Sequence, residues 1–290
     1  MNAYLLAARP KTLPAAIVPV WVGCALAYHL TGAWDGWLAF YTVMGAVWIQ
    51  VATNFFNDAI DSEKGADTDA RLGPVRATAT GRLSLKTVYI AAFVCLLLAS
   101  AFGWPLFVAR GWPMIVIAVP SFYLAYGYTG GPFPLAYKGL GELFVILFFG
   151  LVAVMGTVFV QTGVWYVEAL VAGLAIGCLS AVLIAINNLR DVDEDSSNDK
   201  RTLAVKWGRP AVLRLVWMMC LIAYTSAVWL FGSVSGLLYF LPAFIVGLLI
   251  IANIYKHLPG QIYNKFLAMA ALQLILYAAA FMLNCDASVR

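Results

Sequence analysis

Asn54-Phe55-Phe56-Asn57-Asp58-Ala59-Ile60-Asp61 closes one apolar stretch of this chain, and Asn187-Asn188-Leu189-Arg190-Asp191-Val192-Asp193-Glu194-Asp195 closes another. In each array an Asn stands four residues before an Asp, and a further acid follows three or four residues on. Residues at i, i+4 and i+7 or i+8 of a helix share a face. Asn54, Asp58 and Asp61 therefore stack in the first array, and Asn187, Asp191 and Asp195 in the second. The second array is denser, and strict alignment with Asp61 puts Glu194 rather than Asp195 at the matching place. Carboxylates are costly beside lipid, so two such sets need a cation. Mg2+ carrying a diphosphate meets that need, because Mg2+ takes a few carboxylates together with phosphate oxygens.

The rest of the chain supplies the lipid setting. It is 63% hydrophobic and 11% charged, with a mean hydropathy of +0.87. A soluble domain is about 45–50% apolar and about 25% charged. Stretches of about 20 apolar residues can cross a bilayer, and nine occur, at 13–30, 37–56, 87–109, 112–129, 141–161, 166–187, 211–231, 237–255 and 263–283. The expected fold is therefore all-α and integral to the membrane, one domain over 1–290. Only Arg110-Gly111 separates the third stretch from the fourth, which predicts a tight hairpin. The apolar run after Arg9 and Lys11 has no small-residue cleavage site and is expected to open the first span. Pro14, Pro19, Pro120 and Pro242 fall inside spans, where they predict kinks. Cys24, Cys95, Cys178 and Cys220 lie in spans without metal-type spacing and read as small core residues.

Charge placement tests the topology independently. With the N-terminus inside, every Lys and Arg except Arg110 and Arg290 falls on the inner side. Both acidic arrays and their loops then face the cytoplasm, and the C-terminus faces out. The net charge of +4 follows from this asymmetry and gives no reason to invoke nucleic acid. The inner loops, at about 57–86 and 188–210, follow the second and sixth spans. Aligning Asp58 with Asp191 also aligns Asn54 with Asn187. That offset predicts two related four-helix units, 1–130 and 131–255, with a ninth helix at 263–283. Bases follow each acidic array: Lys64, Arg71 and Arg76 the first, Lys200 and Arg201 the second. Acids that hold Mg2+ with bases that bind phosphate oxygens make a diphosphate clamp.

These residues resemble the UbiA-type intramembrane aromatic prenyltransferases, over almost the whole chain. Arg9-Pro10-Lys11-Thr12-Leu13-Pro14, Asn57-Asp58-Ala59-Ile60-Asp61, Lys64-Gly65-Ala66-Asp67, Arg71-Leu72-Gly73-Pro74-Val75-Arg76, Tyr128-Thr129-Gly130-Gly131, Gly141-Glu142-Leu143, Asn187-Asn188-Leu189-Arg190-Asp191 and Lys200-Arg201-Thr202-Leu203-Ala204-Val205 carry the likeness. They look most like the branch that prenylates 1,4-dihydroxy-2-naphthoate. The resemblance implies nine helices around a central cavity, capped by cytoplasmic loops, in a bacterial inner membrane. It implies that Asn54, Asp58, Asp61, Asn187, Asp191 and Asp195 hold Mg2+ and the diphosphate, with Asn57 and Asn188 beside them. Arg71, Arg76, Lys200, Arg9 and Lys11 would neutralise the phosphates. The implied reaction moves a polyprenyl group from polyprenyl diphosphate to 1,4-dihydroxy-2-naphthoate with loss of CO2, giving demethylmenaquinone. An acceptor such as 4-hydroxybenzoate is the alternative. Tyr126 and Tyr128 are candidates for cation–π shielding or for an interfacial aromatic belt. Glu142 is expected either to orient the acceptor's hydroxyl or to sit at a helix N-terminus for its dipole. A cation-coupled transporter also uses intramembrane acids, but at the midplane and without adjoining bases. A CDP-alcohol phosphotransferase would carry one Asp-rich array where this chain has two.

Overall fold

The computed structural model describes residues 2–32, 34–65, 72–73 and 76–287, with side chains as far as Cys285. Among these residues every regular element is helical: α1 (Ala3–Ala8), α2 (Pro14–Thr31), α3 (Gly36–Glu63), α4 (Leu85–Arg110), α5 (Pro113–Gly127), α6 (Gly141–Thr162), α7 (Val167–Arg190), α8 (Val192–Ser197), α9 (Leu203–Phe231), α10 (Val234–Leu238), α11 (Leu241–Lys256) and α12 (Tyr263–Ala287). Short 3-10 turns at Pro10–Thr12 and Leu135–Lys138 complete the list. Seven helices, α2, α3, α4, α6, α7, α9 and α12, are long and apolar enough to span a membrane, and the chain is an integral membrane protein. Helices α5 and α11 are apolar but shorter.

Local chemistry sets the helix ends. Asp35 accepts from the backbone N–H groups of Trp37 and Leu38, Ser84 from Thr87, and Thr202 from Val205, so each caps the helix that follows. Gly111, at a positive φ of 71°, makes the tight turn expected between α4 and α5. Two proline expectations are corrected. Pro14 and Pro242 stand in the first turns of α2 and α11, where a missing N–H costs nothing. Pro19 and Pro120 do lie inside helices. Helix α3 runs to Glu63, so Asp58 and Asp61 are helical residues and not loop residues.

Helix α3 packs along α4, α7 against α9 and α6, and α12 against α11, α2 and α7. Helices α6 and α7 approach each other closely. Residues Ile146–Val152 of α6 form a π-helical segment, a widening often found at functional sites. There a Cβ on Gly150 would stand 2.3 Å from the Gly173 carbonyl oxygen, and one on Gly177 would stand 2.6 Å from that of Ile146. Such small-residue contacts let helix backbones touch. They also fix the register that brings Glu142 of α6 to Asn188 of α7. Gly150→Ala and Gly177→Ala should each destabilise the fold by about 1–3 kcal/mol, the range for overpacking. Gly45→Ala, in the interior of α3 with no atom within 4 Å of its Cβ, should instead raise the thermal midpoint in detergent slightly, since Ala suits a helix interior by about 0.5–1 kcal/mol over Gly.

Candidate active site

A cavity of about 1740 Å3 runs between the helices. One end is polar and the body is apolar. Asp61 from α3, with Asp191, Glu194 and Asp195 from the end of α7 and from α8, lines the polar end. Asn54, Asn57, Asn187 and Asn188 line it beside them, and Tyr128 and Glu142 stand on the wall between α5 and α6. Arg9, Lys11, Arg76 and Lys200 bring the bases. The fold thus gathers at one place residues far apart in sequence.

Three of the acids facing the cavity, Asp61, Asp191 and Asp195, each meet a resident cation. Arg76 pairs through Nη2 with Asp61 Oδ2 and donates through Nη1 to the Asn57 carbonyl at 2.6 Å. The Tyr137 hydroxyl donates to Asp61 Oδ1 at 2.9 Å. Burial and the Asp61 charge push that phenol well above its ordinary pKa, so it stays a donor. Arg190 grips Asp191 with both arms of its fork, Nε to Oδ1 and Nη2 to Oδ2, each at 2.7 Å. It also donates to Asn187 Oδ1 at 2.9 Å and to Asn264 Oδ1 at 2.7 Å. Lys200 Nζ meets Asp195 Oδ1 at 2.9 Å. Asp195 Oδ2 is buried without a hydrogen-bond partner. Burial pushes the Asp195 carboxyl above the ordinary carboxylate range, against the pull of Lys200.

One expected cation ligand lies off the cavity, and a second is tied to the N-terminal segment. Asp58 does not line the cavity. Its carboxylate accepts from the backbone N–H of Ala77 at 3.2 Å, from that of Thr78 at 3.0 Å, and from the Thr78 hydroxyl. The reason is angular: at 3.6 residues per turn Asp58 sits roughly 60° around the helix from Asp61, enough to face the 77–78 turn. Asn54 lines the cavity, but its amide donates to the Ala8 carbonyl at 2.8 Å and the Thr12 hydroxyl at 2.9 Å. It thereby holds the N-terminal segment in which Arg9 adopts a left-handed backbone (φ 49°). Asn187 donates to Asp191 Oδ2 at 3.3 Å, and Asn188 donates to Glu142 Oε1 at 3.0 Å. Arg71 lies outside the described residues.

Sequence reasoning missed Tyr137, Thr78, Asn264 and the role of Arg190. Arg190 stands inside the second motif and could have been read as its counter-ion. The others act across 20 to 76 residues and leave no local pattern. Among the described residues no three metal-ligating side chains form a ready cage, because resident cations separate the acids.

An all-helical membrane protein with two acidic helix ends over one apolar cavity is the class these features define. The chain belongs to the UbiA prenyltransferase family: the family model matches residues 16–275. It is accordingly an enzyme of prenyl transfer. Curated relatives include the 1,4-dihydroxy-2-naphthoate octaprenyltransferase of Haemophilus influenzae, 31% identical over 234 residues, which are 76% of this chain and 76% of that protein. The enzyme so named in Mycobacterium tuberculosis is 39% identical over 202 residues, 69% of this chain and 68% of its own. Among solved structures, the apo UbiA homologue of Aeropyrum pernix has a TM-score of 0.73 at 16% identity, covering 95% of this chain and 98% of that one. A homologue from Archaeoglobus fulgidus, solved with DMAPP and Mg2+, has a TM-score of 0.62 at 16% identity over 96% of this chain and 99% of that one. At these identities the likeness is one of fold.

Arg190 generates the stability test. Removing one member of a buried ion pair costs about 3–5 kcal/mol. Arg190→Ala should destabilise by that order, Arg190→Lys should recover only part because it loses the fork, and Arg190→Ala with Asp191→Asn should recover more than Arg190→Ala alone. Thermal unfolding in detergent reads all three.

Proposed function

We propose that the chain transfers a polyprenyl group from polyprenyl diphosphate to 1,4-dihydroxy-2-naphthoate, with loss of CO2, giving demethylmenaquinone. The carrying observation is that Asp61, Asp191 and Asp195 share one polar cavity end with Arg76 and Lys200, above an apolar body of prenyl-chain character. The residues fit Mg2+: hard carboxylate oxygens come from two helix ends, and Asp195 Oδ2 is buried without a partner. Asp61, Asp191 and Asp195 would hold it, with Asn57 and Asn187 adjoining. When bound, Mg2+ stabilises the charge that develops on the departing diphosphate.

The chain's own residues do the rest. Arg76 and Lys200, now on carboxylates, exchange to phosphate oxygens, and Arg9 and Lys11 bring further positive charge to the same end. Arg71 joins the clamp on its sequence motif. Asp58 acts at one remove, by fixing the 77–78 turn that follows Arg76. The Tyr128 ring lines the cavity and shields the allylic cation. The apolar wall keeps water from the cation before the aromatic ring captures it.

We assign nine crossings, with α5 and α11 as the short ones, and two related units, 1–130 and 131–255, completed by α12. A shift of 133 residues, the interval from Asp58 to Asp191, carries α3 onto α7 and α8, and α5 onto α11. The polar end faces the cytoplasm and the C-terminus faces out, on the strength of the Lys and Arg asymmetry. On a background without native cysteines, Ser196→Cys should resist an impermeant thiol reagent in intact cells and Ser235→Cys should react. The reverse result would overturn the orientation.

Activity is tested with purified protein in detergent, Mg2+, a prenyl diphosphate and a panel of aromatic acids, with products read by mass spectrometry. The naphthoate should be consumed with one CO2 per product, and chelation should abolish turnover until Mg2+ is restored. Preferential turnover of 4-hydroxybenzoate with its carboxylate retained would replace the acceptor. Asp61→Asn and Asp191→Asn should each cost on the order of 10²–10³ in kcat, as for lost charge-stabilising contacts. Asp58→Asn should act chiefly on the KM for prenyl diphosphate.

A further inference from the structure

Below the acids the cavity wall carries polar atoms that the clamp does not use. Glu142, in the first turn of α6, is 3% exposed and lines the cavity. Its Oε1 accepts from Asn188 Nδ2 at 3.0 Å, while its Oε2 is buried and has no hydrogen-bond partner. The N-terminus of α6 favours an anion there, which explains why a carboxyl is tolerated but not why one of its oxygens has no partner. Ser180 of α7 is also 3% exposed, lines the same wall, and leaves its hydroxyl without a partner. It stands two helical turns from Asn188, about 12 Å along the axis. Val145, Phe149 and Ile184 line the cavity as well, and the Phe144 and Phe148 rings stack at 6.1 Å beside them. Orphaned buried polar groups are uncommon in native proteins and each needs a reason. Two on one apolar wall describe a slot for a flat ring with oxygens on two edges.

We propose that this wall is the acceptor subsite for a hydroxyarene carboxylate and that Glu142 is its acid–base group. The proposal rests on the prenyl-transfer reading and adds the fate of the proton. As the prenyl C–O bond breaks, its electron pair leaves on the diphosphate. The ring carbon bearing the carboxylate attacks the allylic carbon and a C–C bond forms. The hydroxyl on the neighbouring carbon gives its proton to Glu142 Oε2, and that carbon becomes a ketone. The resulting β-keto carboxylate loses CO2, and the electron pair of the broken C–C bond moves through the ring carbon to the ketone oxygen. Glu142 returns the proton to that oxygen and restores the hydroquinone. One proton leaves and returns, so no outside acid or base is consumed. Asn188 holds the Glu142 carboxyl by Oε1 throughout, and the Ser180 hydroxyl receives the oxygen at the ring's other edge.

The test uses the full-length protein in detergent with Mg2+, a prenyl diphosphate and 1,4-dihydroxy-2-naphthoate. E142Q should lose at least about 10²-fold in kcat, the scale of general acid–base catalysis, while calorimetric binding of prenyl diphosphate with Mg2+ stays at the wild-type value. S180A should raise the acceptor KM by about three- to tenfold, the cost of one hydrogen bond, with kcat unchanged. An E142Q enzyme with wild-type kcat would overturn the assignment. So would loss of prenyl diphosphate binding in E142Q, because Glu142 would then be serving the architecture. The wild-type protein separates the two levels: no transfer to any aromatic acid would defeat the proposed function, whereas normal wild-type transfer with an indifferent E142Q defeats only the subsite.

Discussion

The pairing of buried carboxylates with resident cations is the constraint on which the polar end of this molecule depends. Asp61, Asp191 and Asp195 are each less than a tenth exposed. An isolated charge in that setting would cost several kcal/mol. Arg76, Arg190 and Lys200 offset that cost, and Arg190 and Lys200 do so in contrasting ways. Arg190 spends its donors on Asp191, Asn187 and Asn264 and is a fixed strut. The Lys200 ammonium makes one contact, to the Asp195 carboxylate, on a flexible stem and is partly exposed. The same network that stabilises the protein without ligand therefore contains a cation that can leave its acid when a more charged partner arrives.

The two acidic ends belong to helices far apart in the chain, so something must hold them at one distance. The segment after α5 does this. Thr129 donates its hydroxyl to Asn57 Oδ1 and accepts Lys64 Nζ on its carbonyl at 2.7 Å. Tyr137 reaches Asp61 with its hydroxyl, stacks under Lys64 at 3.9 Å, and accepts the Arg201 backbone N–H at 3.1 Å. One tyrosine thus touches both the first array and the segment that follows the second. Asn264 of α12 adds a second tie, from Arg190 to the Leu72 carbonyl.

Hydropathy located the apolar helices, because lipid demands long apolar runs wherever the chain crosses. It misjudged the ends of α3 and α9, since the acids of α3 continue its helix and the Thr202 cap starts α9 before the apolar residues begin. The π segment of α6 and the break at Gly208 (φ 73°) leave no hydropathy signal. Within the site, spacing told which residues share a face of a helix but not which neighbour that face meets. Asp58 and Asp61 both lie toward the protein, yet one faces a loop and the other the cavity. Glu142 was visible as a lone acid at the start of a span. Its unpartnered oxygen became visible only in the fold.

Leu272 and Ile275 of α12 line the cavity and are 47% and 39% exposed. Apolar side chains of a membrane-spanning helix thus form part of the cavity wall. An apolar chain released past such a wall moves far more favourably into hydrocarbon than into water. Its availability is then a mole fraction in lipid. Diluting such a ligand with more lipid or detergent lowers occupancy even when its amount per millilitre is constant, so affinities for such a ligand are expressed as mole fractions in lipid and not as concentrations in solution.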